Sequence, residues 1–235
     1  KSQFWYNWLF RIGSFVTPIF LGMSFGALIG GKIIITEDYE TYGFYDLFMQ
    51  HWLNIFALLV GLFYAALCAF LASTLLIGEA DGKARKHYAK NSAFFTVVLV
   101  ALGFILISYG YFSGINFAED FIHNPVSLAC VGLSGILLFP LWKFIKKEYR
   151  IASRYLAGFQ VVLILFAALY AHFPYIIITA DQEISLLENL APESTISNLA
   201  IMLLIGGFII LPGLFHLMKS FNMIKVLEKN EKEYE

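Results

Sequence analysis

Charge is scarce in this sequence. Only 14% of its 235 residues are Asp, Glu, Lys or Arg while 59% are hydrophobic, and the mean hydropathy is +0.72. A water-facing globule needs far more polar surface, so a soluble enzyme is excluded. Sixteen basic residues against seventeen acidic ones leave a formal net charge of −1, which predicts neither nucleic-acid binding nor a basic helix lying on a membrane surface. Cysteine is nearly missing too: Cys68 and Cys130 both sit in apolar runs, too few for a disulfide framework. At a rise of ~1.5 Å per residue they fall at depths too different for the roughly 7 Å reach of a bridge, so both are expected to be unpaired. Phosphate loops, zinc spacings, hydrolase elbows and internal repeats are also lacking.

Uncharged runs are what the chain has in plenty. Six stretches without Asp, Glu, Lys or Arg cover 12–31, 52–77, 92–113, 125–142, 155–180 and 196–218. A helix of about 20 residues crosses the hydrocarbon core, and none of the six carries the polar stripe of a soluble bundle helix. The expected fold is all-α, an integral membrane bundle of six transmembrane helices over 1–222, followed by a charged tail over 223–235 that extends the last helix into water. Fifteen of the sixteen Lys and Arg residues fall in the N-terminal flank, the 78–91 and 143–154 loops and the tail. The alternate loops hold Lys32 against ten acids. By the positive-inside rule both termini are cytoplasmic, as an even number of spans requires. Trp5, Trp8, Trp52 and Trp142 fall at segment ends, where aromatic rings anchor to headgroups.

The six segments contain no formal charge. Intramembrane acids and bases mark proton relays and ion sites because their burial is costly, so a proton-coupled transporter is disfavoured. No catalytic residue and no metal ligand set can be named. Of five histidines only His172 and His216 lie within segments, at opposite ends, which excludes a bis-His haem inside this chain. His172 and Met202, each roughly 9 Å from the outer ends of their helices, are the one pair of candidate haem ligands. An interfacial histidine and a packing methionine remain the plainer alternative. Gly22, Gly26 and Gly30 form two overlapping GxxxG steps, and Gly110 and Gly114 another; such steps serve packing within the bundle or contact with another subunit. Pro18, Pro140 and Pro212 interrupt apolar runs and can kink their helices.

Several stretches resemble subunit II of the cytochrome bd-type quinol oxidases. Trp8-Leu9-Phe10-Arg11-Ile12-Gly13-Ser14-Phe15, followed by Pro18, Gly22, Phe25 and Gly26, is similar to a helix of that family. So are the run from Asn54 through Gly61 to Ala72-Ser73-Thr74-Leu75 with Gly78-Glu79 and its basic loop, and Phe173-Pro174-Tyr175-Ile176 leading through Pro192-Glu193-Ser194-Thr195-Ile196 to the Pro212 helix. The matches keep the family's order over about residues 5 to 222, and the resemblance covers the C-terminal part of the subunit. The family's additional leading helices, with a TDGFD-type stretch, have no counterpart here, which implies an excised part or a divided gene. The family's tyrosine near the inner end of the second helix is Leu75 here.

The resemblance implies a respiratory heterodimer of the bacterial cytoplasmic membrane. Haem b and haem d would sit in subunit I, which oxidises quinol and reduces oxygen. This chain would be its noncatalytic membrane support, binding no cofactor of its own, in contact with lipid and able to lodge a quinone. Gly13, Ser14, Gly22, Gly26, Gly30, Pro174 and Pro212 are the residues expected at helix packing or subunit contacts. The alternative function is a permease or channel for an uncharged solute, shaped by the proline kinks.

Overall fold

A computed structural model describes residues 2–36, 39–80, 82–147, 149–180, 182–187 and 191–220. The tail expected over 223–235 lies outside the described residues. Helices dominate, and six are long and apolar enough to cross a membrane. In chain order they are α1 (Ser2–Ile29), a short α2 (Phe44–Phe48), α3 (Ile55–Glu79), α4 (Gly82–Phe112), a short α5 (Asn116–His123), α6 (Pro125–Ile136), α7 (Leu138–Lys146), α8 (Arg150–Ala171) and α9 (Glu193–Ser220). The helices α6 and α7 together make one crossing. The chain is a multi-pass helical membrane bundle.

Local chemistry explains the element ends. Asn54 accepts the Ala57 amide at 2.9 Å and caps α3. Asn124 accepts from Val126 and Ser127, with Pro125 at the first helical position, and caps α6. Each cap satisfies amides that the first helical turn leaves without a partner. Gly31 and Gly114 take φ of +66° and +67° just beyond α1 and α4, the left-handed stop that favours glycine.

Four spans depart from the charge-free runs; one is α4, which starts at Gly82 instead of residue 92 because the basic loop ahead of the run is helical too. The first helix starts at Ser2 instead of residue 12, because the aromatic flank before Arg11 is helical as well and one arginine near a helix end does not stop a helix. The fifth ends at Ala171 instead of residue 180. Beyond it, Pro174 disfavours helix at the residue before it, and the β-branched run from Ile176 to Thr179 suits a strand. A small hairpin forms there, β1 (Tyr175–Ile178) antiparallel to β2 (Glu183–Ser185), with an irregularity between Tyr175 and Ile177. It adds the only strands among the described residues to the expected all-α class. The 125–142 run breaks at Leu137, three residues ahead of Pro140, which has no N–H for the Ile136 carbonyl. Pro18 and Pro212 lie inside unbroken helices.

The hub is α3, which packs on α1, α4 and α8, while α6 and α7 pack on α8. One buried cluster near the basic loops joins Phe70 and Ile77 of α3, Leu99 of α4, Leu141 and Ile145 of α7 and Val161 of α8. A second, near the acidic loops, joins Ile29, Phe56, Val60, Leu106, Phe117, Ala171 and Ile178. Between α1 and α3 the backbones nearly touch. A Cβ added at Gly22 would stand 2.7 Å from Tyr64 Cβ and 2.8 Å from Gly61 Cα, one at Gly26 2.8 Å from Ala57 Cα, and one at Gly61 2.6 Å from the Ile19 carbonyl oxygen. The overlapping GxxxG steps are therefore an internal seam at Gly22 and Gly26. Gly30 lies beyond the end of α1, near its own turn and Phe56.

Replacing Gly22 or Gly61 with alanine is expected to cost about 1–3 kcal/mol each, because backbone and not a flexible side chain must move. Gly13→Ala, where a Cβ meets nothing within 4 Å, is expected to be neutral. Thermal unfolding of the detergent-purified variants checks the contrast; equal melting of all three would refute the seam.

Candidate functional site

Most polar groups inside the bundle fasten one helix to the next. Thr74 donates to the Phe70 carbonyl at 2.9 Å, which leaves the Ser92 hydroxyl to donate to Thr74 at 2.9 Å, both residues being fully buried. Ser127 of α6 donates to the Ala167 carbonyl at 2.9 Å, and Gln160 of α8 donates through Nε2 to the Ser134 carbonyl at 3.1 Å. At the basic-loop end Arg154 Nη2 donates to the Leu75 carbonyl at 3.2 Å. Its guanidinium occupies the place where a Cβ at Gly78 would stand. Gly78 is thus a packing requirement, and a cation sits against the carbonyl-rich end of α3, where the helix dipole favours it.

The titratable cluster lies at the opposite face. His172, the residue at which α8 stops, is the one buried histidine among the described residues. Its Nδ1 stands 2.6 Å from Asp120 Oδ2 of α5, and its Nε2 stands 3.8 Å from Glu183 Oε1 of β2. Neither nitrogen has the alignment of a hydrogen bond, so the contacts are ionic in kind when the ring is protonated. The imidazole side chain is 5% exposed, against 48% for Asp120 and 35% for Glu183. Phe117 and Tyr175 flank the ring with centroids at 6.4 and 6.3 Å, and Asn116 Nδ2 donates to Glu183 at 3.4 Å. A cavity of about 710 Å³ opens beside the cluster, lined also by Glu119, His123, Asn124 and Tyr170.

This arrangement sets one imidazole between two carboxylates and ties three elements together. The chain's residues do not fit a haem there. Both nitrogens of His172 face carboxylates, and Met202 stands on α9 at 68% exposure. The structure places the two candidate ligands in unlike surroundings. Among the described residues no group of three or more His, Cys, Asp and Glu could hold a metal ion.

The remaining candidate residues divide by position. Gly22 and Gly26 meet α3, as above. Gly13 and Ser14 lie on the exposed N-terminal half of α1, where Ser14 Oγ donates to the Phe10 carbonyl at 2.7 Å. Pro174 lies between α8 and β1, its carbonyl accepting from the Leu186 amide at 2.9 Å. Pro212 lies on the exposed face of α9. Sequence reasoning missed Asp120 and Glu183, because they read as two of ten acids in loops and nothing local links them to His172. It also missed Ala57 and Gly61, which the same small-xxx-small spacing would have shown.

His172→Ala is expected to loosen the hairpin from α5 and α8 by up to about 1 kcal/mol, raising the rate of limited proteolysis within 182–187 while the spans stay protected. Hairpin cleavage at the wild-type rate would contradict the clasp.

Comparison with known proteins bears on the whole chain. No curated protein matches it. The family model described as cytochrome bd terminal oxidase subunit II matches residues 1–221, from α1 to the end of α9. With six apolar crossings and the matching stretches running through that length, the chain belongs to the cytochrome bd terminal oxidase subunit II family.

Proposed function

We propose that this chain is a noncatalytic membrane part of its subunit, supporting a haem-bearing subunit I that carries out quinol oxidation and oxygen reduction. The reading places it in the bacterial cytoplasmic membrane with both termini in the cytoplasm. Membership of the family gives it a role in the oxidase complex; the division of labour is the further step.

One observation carries that step. The span of α9 is 25 residues long with a mean hydropathy of 2.2, and none of its most apolar window is buried against the rest of the chain. Phe208 is 83% exposed. The N-terminal half of α1 is similarly open, with Phe10 at 76%. In lipid, helices associate by close packing and a few hydrogen bonds, since hydrocarbon supplies no hydrophobic drive. The other crossings have such fits: glycine against backbone between α1 and α3, hydroxyl against hydroxyl between α3 and α4, hydroxyl and amide against carbonyl between α6 and α8. Here α9 offers Gly206, Gly207 and Gly213, where an added Cβ would meet nothing within 4 Å, and so leaves room for another backbone. The α1 and α9 surfaces are therefore the proposed seat of the haem-bearing subunit. The chain's own contribution is a rigid α3-centred scaffold behind them.

The complex purified from its native membrane is expected to show haem b and haem d in a reduced-minus-oxidised spectrum, and the chain separated from its partner to show neither. A haem retained by the separated chain, or a complete complex without haem, would overturn the proposal.

A further inference from the structure

A second cavity, of about 720 Å³, runs along one stripe of α6 and α7. Its wall is Gly135, Leu138, Phe139 and Trp142, and its end is Lys143, Lys146 and Lys147. Positions 138, 139, 142 and 146 of α7 recur at three or four residues and share a helix face, and Gly135 of α6 lines the same cavity across the break at Leu137. The order along that face is apolar wall, then indole, then three ammonium groups. Leu141 and Ile145 on the other side of α7 are buried in the core shared with α8, which turns the lysines outward. Phe139 is 83% exposed and a Cβ at Gly135 would meet nothing within 4 Å, so the apolar half is open to lipid. None of the three lysine ammonium groups has a hydrogen bond or ion pair with a described residue; Glu148, next in the chain, lies outside the described residues.

Three like charges within one helical turn repel each other, and an anion seated among them removes that cost. Depth decides what the anion is attached to. An indole marks the headgroup level of a bilayer, and the wall beyond it is hydrocarbon-compatible. We propose that this groove binds a membrane phospholipid with a net negative headgroup, its phosphate between Lys143, Lys146 and Lys147, its glycerol beside Trp142 and one acyl chain along Leu138 and Phe139 over Gly135. Basic pockets at the cytoplasmic ends of membrane helices select anionic headgroups on these grounds. A phosphatidylcholine brings its own cation to the lysines, a quinone brings no anion, and inorganic phosphate leaves the apolar wall unused. The inference needs the membrane reading and not the α9 contact, so either can fail without the other.

Native mass spectrometry of the delipidated oxidase complex, titrated with dioleoylphosphatidylglycerol and with dioleoylphosphatidylcholine, tests it. The wild type is expected to take up phosphatidylglycerol preferentially. Lys143→Gln, Lys146→Gln and Lys147→Gln together should weaken that uptake by roughly tenfold or more and leave phosphatidylcholine unaffected. Gly135→Leu, which fills the groove and changes no charge, should weaken it as well. All four positions are exposed, so the variants are expected to keep the elution volume of the complex. The proposal is overturned if the triple variant binds phosphatidylglycerol as the wild type does, if phosphatidylcholine binds equally well, or if Gly135→Leu has no effect. It is equally overturned if the wild type retains a quinone in the groove in place of phospholipid.

Discussion

The approach of α1 to α3 is the constraint on which the rest of this structure depends. At Gly22, Gly26 and Gly61 the two backbones come within the space of a single carbon atom. Such closeness is available only to residues without a Cβ, and in hydrocarbon it replaces the hydrophobic drive that would hold helices together in water. Once α1 is fixed on one side of α3, α4 and α8 take the other sides. The Thr74–Ser92 hydroxyl pair then locks α3 to α4, and Ser127 and Gln160 lock α6 to α8. Each lock is short, buried and made by small polar groups, because a charge at that depth would cost far more than it returns.

Charge is kept to the two ends of the bundle, and it does different work at each. At the basic-loop end Arg154 donates to a carbonyl on the last turns of α3, and the lysines of α7 line an open groove. At the acidic-loop end two carboxylates enclose one buried imidazole and gather α5, α8 and the hairpin around it. The spans between need no titrating group of their own. That arrangement is the ground of the supporting role proposed above, for a chain of an oxidase subunit family whose complex carries haems.

Much of the fold was legible in the sequence because lipid imposes one dominant rule. Runs without charge must be helical where they cross, and all six runs do contain a crossing. Their ends were less legible. Arg11 looked like a boundary yet lies inside α1, and the hydropathy of Ile176, Ile177 and Ile178 concealed a strand behind Pro174. The GxxxG steps told that a close contact existed but not with what; the answer, Ala57 and Gly61, needed the second helix in view. The His172 cluster was illegible for a different reason. Its members are separated by 52 and 11 residues in sequence, and only the turn-back of the hairpin over α5 brings Glu183 to the ring that Asp120 already touches.

The central claim is that this chain contributes surface to a neighbour, and photocrosslinking in the native membrane tests it most directly. With a benzophenone side chain introduced in place of Phe208 on α9 or Phe10 on α1, irradiation is predicted to give a covalent adduct with the haem-bearing subunit. The same group in place of Phe104, which is also exposed but on α4, is predicted to react with lipid alone. An adduct from Phe104 and none from Phe208 or Phe10 would contradict the account.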